Sequence, residues 1–159
     1  MNFVTAVQML VDAGIDFVII GGWSAILHGS SYMTNDLDLC FSRKPENLKR
    51  LARTLAPFQP RPRDLPPDLP FVWDEVTLPN GTTFTLTTDL GLVDLFAEVP
   101  GVGSFDEAKA NSVLVQAFDR VVWTLDLPAL IRAKRAAGRE KDLRALPELE
   151  SLLDIEEPE

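Results

Sequence analysis

The sequence has one cysteine, one histidine and one tyrosine in 159 residues, and no long apolar run. A single thiol, Cys40, rules out an internal disulfide and fits a reducing interior. Cys40 also lacks a histidine partner for nucleophilic work. The lone histidine, His28, sits on a short apolar helical stretch and reads as packed or hydrogen-bonded rather than catalytic. The longest apolar stretch, Phe17 to Leu27, falls well short of the roughly 20 residues a membrane span needs, so no membrane partner is expected. No basic residue precedes the first apolar run and Asp12 interrupts it, which argues against a signal peptide. The expected location is cytoplasmic.

What is present is an ordinary globular composition, 46% hydrophobic and 25% charged, which excludes global disorder. The length suits one domain, expected over residues 1–153, and a chain this long folds without disulfide or metal. The net charge of −9 is unevenly spread. From Glu148 onward no base offsets the acids, and residues 154–159 read as an acidic tail. Two segments, Arg43 to Arg63 and Arg132 to Arg144, are basic. An acidic chain with two basic stretches is not a general nucleic-acid binder, but it can grip something small and polyanionic.

Phe3, Val7, Leu10 and Val11 recur at helical spacing, with Gly14 as the stop. Asp16 to Ile20 reads as a strand, Ser24 to His28 as a short helix, and Asp36 to Phe41 as a half-buried strand by its alternation. Pro45 opens a helix that carries Leu48, Leu51 and Leu55. Six of the twelve prolines fall between Pro57 and Pro70, too many for a helix or central strand, so this is an extended surface loop. Phe71 to Leu78 and Thr82 to Thr87 flank Asn80-Gly81, which predicts a hairpin. Further strands are expected at Leu92 to Phe96, Val113 to Phe118 and Arg120 to Leu125. Asp126 should cap a helix running to Ala137, and Gly138 separates it from a last helix, Arg139 to Leu153.

Asp36 and Asp38, two apart on a strand, look the same way while Leu37 and Leu39 point into the core. Side by side they repel unless a cation intervenes, and such hard oxygen donors suit Mg²⁺ or Mn²⁺. Asp94 stands in an apolar strand, where an unpaired acid is costly. A third carboxylate there completes a metal platform for phosphoryl or nucleotidyl transfer. Just upstream, a strand runs into Gly21-Gly22 and a helix opens at Trp23-Ser24, a pattern that seats phosphate against backbone N–H groups.

Gly21-Gly22, thirteen residues, Asp36-Leu37-Asp38 and the later Val93-Asp94-Leu95 resemble the polymerase-β-type nucleotidyltransferase superfamily. The stretches from Gly21 to Gly29, from Thr34 to Leu39 and from Leu130 to Leu143 are similar to its small prokaryotic toxin-type and minimal members. The resemblance implies an α/β (α+β) fold: a mixed sheet with helices packed on one side and C-terminal helices. It implies that Asp36, Asp38 and Asp94 are catalytic and hold Mg²⁺ or Mn²⁺, and that Gly21, Gly22, Ser24 and Lys134 bind the nucleotide. Arg139 and Lys141 are weaker phosphate candidates. The expected activity moves a nucleoside monophosphate from an NTP to a hydroxyl on an RNA end, a protein or a small molecule. A toxin–antitoxin or defence setting, with a cognate antitoxin or toxin as partner, comes with the same resemblance. Two departures stand out: Gly22 replaces a common serine, and Tyr32 replaces a common arginine. They favour the alternative, a catalytically degenerate nucleotide- or partner-binding module.

Overall fold

The computed structural model describes residues 2–156. The elements are α1 (Phe3–Asp12), β1 (Phe17–Ile20), α2 (Gly21–Leu27), β2 (Asp36–Phe41), α3 (Pro45–Leu55), β3 (Arg61–Pro62), β4 (Thr83–Thr88) and β5 (Gly91–Phe96). They continue with β6 (Glu98–Val99), β7 (Gly103–Ser104), α4 (Phe105–Ala110), β8 (Ser112–Ala117), β9 (Arg120–Leu125), α5 (Leu127–Ala137) and α6 (Glu140–Glu156). Helix α6 takes in residues 154–156 of the expected acidic tail, and 157–159 lie outside the described residues. Among the described residues no helix is long and apolar enough to cross a membrane.

Local chemistry accounts for most boundaries. Asn2 Oδ1 accepts from Thr5 N at 3.1 Å at the start of α1. Asp126 Oδ1 accepts from Ala129 N at 2.8 Å to cap α5, and Gly138, at φ 65°, ends that helix in the left-handed region. Seven strands form one mixed sheet in the order β3-β4-β5-β2-β1-β9-β8. Strand β2 pairs antiparallel with β1 and parallel with β5, so it lies at the centre. β6 and β7 form a separate small pair.

Both faces of the sheet are covered. Leu37, Leu39, Val93 and Leu95 pack with Leu10 of α1 and Leu48, Leu51 and Leu55 of α3. Val18, Ile20 and Cys40 point the other way, onto Leu127, Leu130 and Ile131 of α5 and Leu149 of α6. The expected helical layer is thus α1 and α3, and the C-terminal helices occupy the opposite face. Each fully buried leucine is worth about 1.5–3 kcal/mol, so the double-sided burial dominates stability.

The hairpin expected at Asn80-Gly81 does not form. Gly81 is extended at φ −130°, which denies the positive-φ turn, and Leu78–Asn80 is a single 3-10 turn. Asp74 Oδ1 accepts from Val76 N at 3.0 Å and from Thr77 N at 2.8 Å, curling the supposed first strand. Trp73 Nε1 donates to the Ala52 carbonyl at 2.9 Å and pins the segment to α3. The hairpin is instead β4–β5, closed where Thr88 faces Gly91.

Candidate active site

Alternation along two adjacent parallel strands builds the site. Asp38 of β2 is in register with Asp94 of β5, and both share the face that carries α5. Oxygens of Asp36, Asp38 and Asp94 all lie within 4.8 Å of one another. Asp94 is buried, and the other two are half-buried. Burial first, then the charges of Asp94 and Asp36, push the Asp38 carboxyl up to about 7. Burial likewise raises Asp94, with the Arg63 guanidinium opposing it. Asp38 Oδ1 is buried and has no hydrogen-bond partner. An orphaned carboxylate oxygen beside two more acids is unfavourable as it stands and fits a divalent cation with oxygen ligands.

Gly21 gives the cluster its roof. Its φ of 63° is left-handed, and a Cβ there would collide with Asp38 Oδ2. Gly21→Ala should cost about 1–2 kcal/mol and displace the Asp38 carboxylate. Paired urea melts and Mn²⁺ titrations would check this; a variant with wild-type stability and affinity would refute it. Gly22 is needed for packing, because a Cβ would lie 2.8 Å from Thr34 Cβ and 2.9 Å from Tyr32 Cε1. Side chains of the Tyr32–Thr34 segment therefore occupy the space that a larger residue at position 22 would take. Ser24 is a correction to the expected nucleotide set. It is 0% exposed, and its Oγ lies 2.7 Å from Thr124 Oγ1 in the core. Its place within α2 turns the hydroxyl away from the aspartates and toward β9.

Lys134 does reach the site. With Gly21, Asp38, Arg139 and Asp142 it lines a cavity of about 240 Å³, whose apolar side includes Phe96 and Leu130. Its ammonium lies 3.4 Å from Asp142 Oδ1 and 5.3 Å from the centre of the Tyr32 ring. Asp142 is not a surface residue. It is 1% exposed and also accepts from Arg139 Nε at 2.7 Å. Lys141 contributes only a longer-range charge felt at Asp38.

Two residues set aside in the sequence, His28 and Cys40, stay aside. His28 Nε2 lies 2.6 Å from the Leu125 carbonyl oxygen, a packed and bonded position. Cys40 is fully buried, and burial pushes its thiol up to about 12, so it is inert. Trp23 packs edge-on to Phe3 and Phe118 in the α1 core rather than over the cavity. Two site residues were missed, Asp142 and Arg63. Arg63, from the proline-rich loop, donates through Nη2 to Asp94 Oδ1 at 2.8 Å. The Arg61-Pro62-Arg63 alternation was the available signal.

No family model matches the sequence, and no curated protein does. Solved structures do match. The chain is similar to the lincomycin-bound lincosamide antibiotic adenylyltransferase LnuA, with a TM-score of 0.63 and 13% identity over 95% of this chain and 96% of that one. It is similar to the antibiotic-resistance factor ANT(2″)-Ia in solution, with a TM-score of 0.59 and 17% identity over 98% and 88% of the two chains. A nucleotidyltransferase-like structure from Thermotoga maritima gives 0.56 and 14% over 95% and 96%. Together these likenesses show that the chain has the nucleotidyltransferase fold of those structures.

Proposed function

We propose that this chain transfers a nucleoside monophosphate from an NTP to the hydroxyl of a small molecule. The observation that carries the reading is the convergence of Asp36, Asp38 and Asp94 around an unpartnered buried oxygen, beside a cavity lined by Lys134. Those three acids would hold Mg²⁺ or Mn²⁺, which when bound would neutralise the donor's phosphates and the acids' mutual repulsion. Gly21 lets the backbone approach the phosphates, and Lys134 adds a cation within electrostatic reach of Asp38. The acceptor oxygen forms a bond to the α-phosphorus as the bond to the α–β bridging oxygen breaks. Pyrophosphate leaves with the electron pair, and the acceptor's proton passes to Asp94, whose burial favours proton uptake.

A small acceptor is supported by the neighbours. LnuA and ANT(2″)-Ia are named for antibiotics, and nearly the whole of each is covered by this chain. The net charge of −9 also disfavours a large RNA. A second reading, a partner-binding module without turnover such as one member of a toxin–antitoxin pair, is favoured by one observation. Lys134 is already engaged by Asp142 and Tyr32.

Thermal shift with each NTP, in Mg²⁺ and in EDTA, separates the two. Saturation at a hundredfold over Kd adds about 2.7 kcal/mol, several degrees for a domain of this size. The expected result is a rise in Mg²⁺ only, followed by transfer of label from α-phosphate-labelled ATP to a small-molecule acceptor. No rise with any NTP would leave the second reading standing.

A further inference from the structure

The proline-rich segment delivers a cation into the aspartate cluster. Arg63 Nη2 donates to Asp94 Oδ1 at 2.8 Å and to the Leu86 carbonyl at 3.2 Å. Arg63 N donates to the Thr85 carbonyl at 2.9 Å, which carries the β3–β4 pairing one step further and fixes the approach of the side chain. The loop beyond is tied by Arg61, whose Nη2 donates to the carbonyls of Pro66 at 3.1 Å and Leu69 at 2.9 Å.

An ion pair on open surface contributes little, but here the Asp94 side chain is 11% exposed and that of Arg63 is 32%. One full positive charge therefore rests on a carboxylate that also faces Asp36 and Asp38. The guanidinium and a divalent cation would both draw on the Asp94 carboxylate. Arg63 also belongs to the segment between α3 and β4, so the competition links the site to the placement of that loop.

We propose that Arg63 is the resident counter-cation of Asp94, competing with a divalent metal for that carboxylate and thereby weakening metal loading of the aspartate cluster. This rests on the metal-dependent transferase reading above. Arg63 is a positioning residue in this account, and its effect is read without turnover.

The test is Mn²⁺ binding to the full chain at pH 8 without nucleotide, followed by the electron paramagnetic resonance signal of free Mn²⁺. Removing a unit charge at this range should make Arg63→Gln bind Mn²⁺ about tenfold more tightly, while Arg61→Gln stays within about twofold of wild type. Arg61→Gln loosens the loop without touching Asp94, so it separates charge competition from loop disorder. Arg63→Lys keeps the charge and should remain near wild type. Equal or weaker binding by Arg63→Gln overturns the proposal and leaves the metal site standing. Absence of Mn²⁺ binding in both wild type and Arg63→Gln overturns the metal reading and this proposal together.

Discussion

Asparagine at position 38 is expected to give a protein that melts higher than wild type in EDTA at pH 8, yet no longer binds NTP in Mg²⁺. The Asp38 carboxyl is held up at about 7 in the fold, against 3.8 when unfolded. Below about pH 4 it is protonated in both states and contributes nothing. Between the two values the folded chain binds a proton that the unfolded chain lacks, so stability falls as pH rises. Above about pH 7 the whole cost is present. At 1.36 kcal/mol per pH unit the interval is worth about 4 kcal/mol, and partial solvent access reduces this to about 2. Asp38→Asn should recover that amount at pH 8 and almost none at pH 4, read as melting temperatures across the range. Cation binding inverts the order. Mg²⁺ should stabilise wild type alone, with apparent affinity weakening about tenfold per unit below pH 7 because a proton must leave. Transfer activity should fall by about a thousandfold or more, as expected for loss of a preorganised charge at the reacting centre. A variant that melts lower than wild type at both pH 4 and pH 8 would show that Asp38 is stabilised by a partner already.

How much of this was legible depended on distance along the chain. Asp36 and Asp38 declared themselves because a period of two puts them on one face, and Asp94 because an acid inside Val93-Asp94-Leu95 has no bland explanation. Their meeting needed only parallel pairing of β2 with β5. Gly21 is legible from the strand–glycine–helix pattern, whereas Lys134 is expected only through the family resemblance. Ser24 is expected at the mouth of a helix opening at Trp23-Ser24, but α2 starts at Gly21, which puts Ser24 a turn inside with its hydroxyl on Thr124. Side chains on a helix change direction by about a quarter turn per residue, so sequence adjacency to the glycines was a poor guide. Arg63 was hidden because a proline-rich tract reads as surface, while its pairing partner β4 lies some twenty residues further on. The Asn80-Gly81 signal was real chemistry outvoted locally: Asp74 and the Trp73–Ala52 hydrogen bond claimed the segment first.

Asp142→Ala is expected to destabilise the protein by about 3–4 kcal/mol at pH 7, the largest loss of any single charge considered, because it strands a buried lysine. The side chains of Lys134 and Asp142 are 8% and 1% exposed, and their atoms lie 3.4 Å apart. Lys134→Met should cost less, about 1–2 kcal/mol, since Arg139 still donates to Asp142 at 2.7 Å and 3.3 Å. Arg139→Ala should cost under about 1 kcal/mol, its side chain being 63% exposed. Lys134→Met combined with Asp142→Leu should recover much of the Asp142→Ala loss, because two apolar groups replace a buried pair without stranding either charge. The pH sign is opposite to that at Asp38. Burial raises Asp142, but Arg139 and Lys134 outweigh it and hold the carboxyl below its ordinary value. Its stabilisation is therefore present above the unfolded value near 3.8 and is lost as pH falls through the folded one, so the wild type and Asp142→Ala should converge in acid. Urea melts at pH 7 and pH 3 check this. The same set bears on function. Lys134→Met keeps a folded cavity, so if the ammonium meets donor phosphates its NTP-dependent shift should vanish while its Mn²⁺ binding persists. If Asp142→Ala costs no more than Arg139→Ala, Lys134 has another resting place, and the pair does not hold it at the cavity.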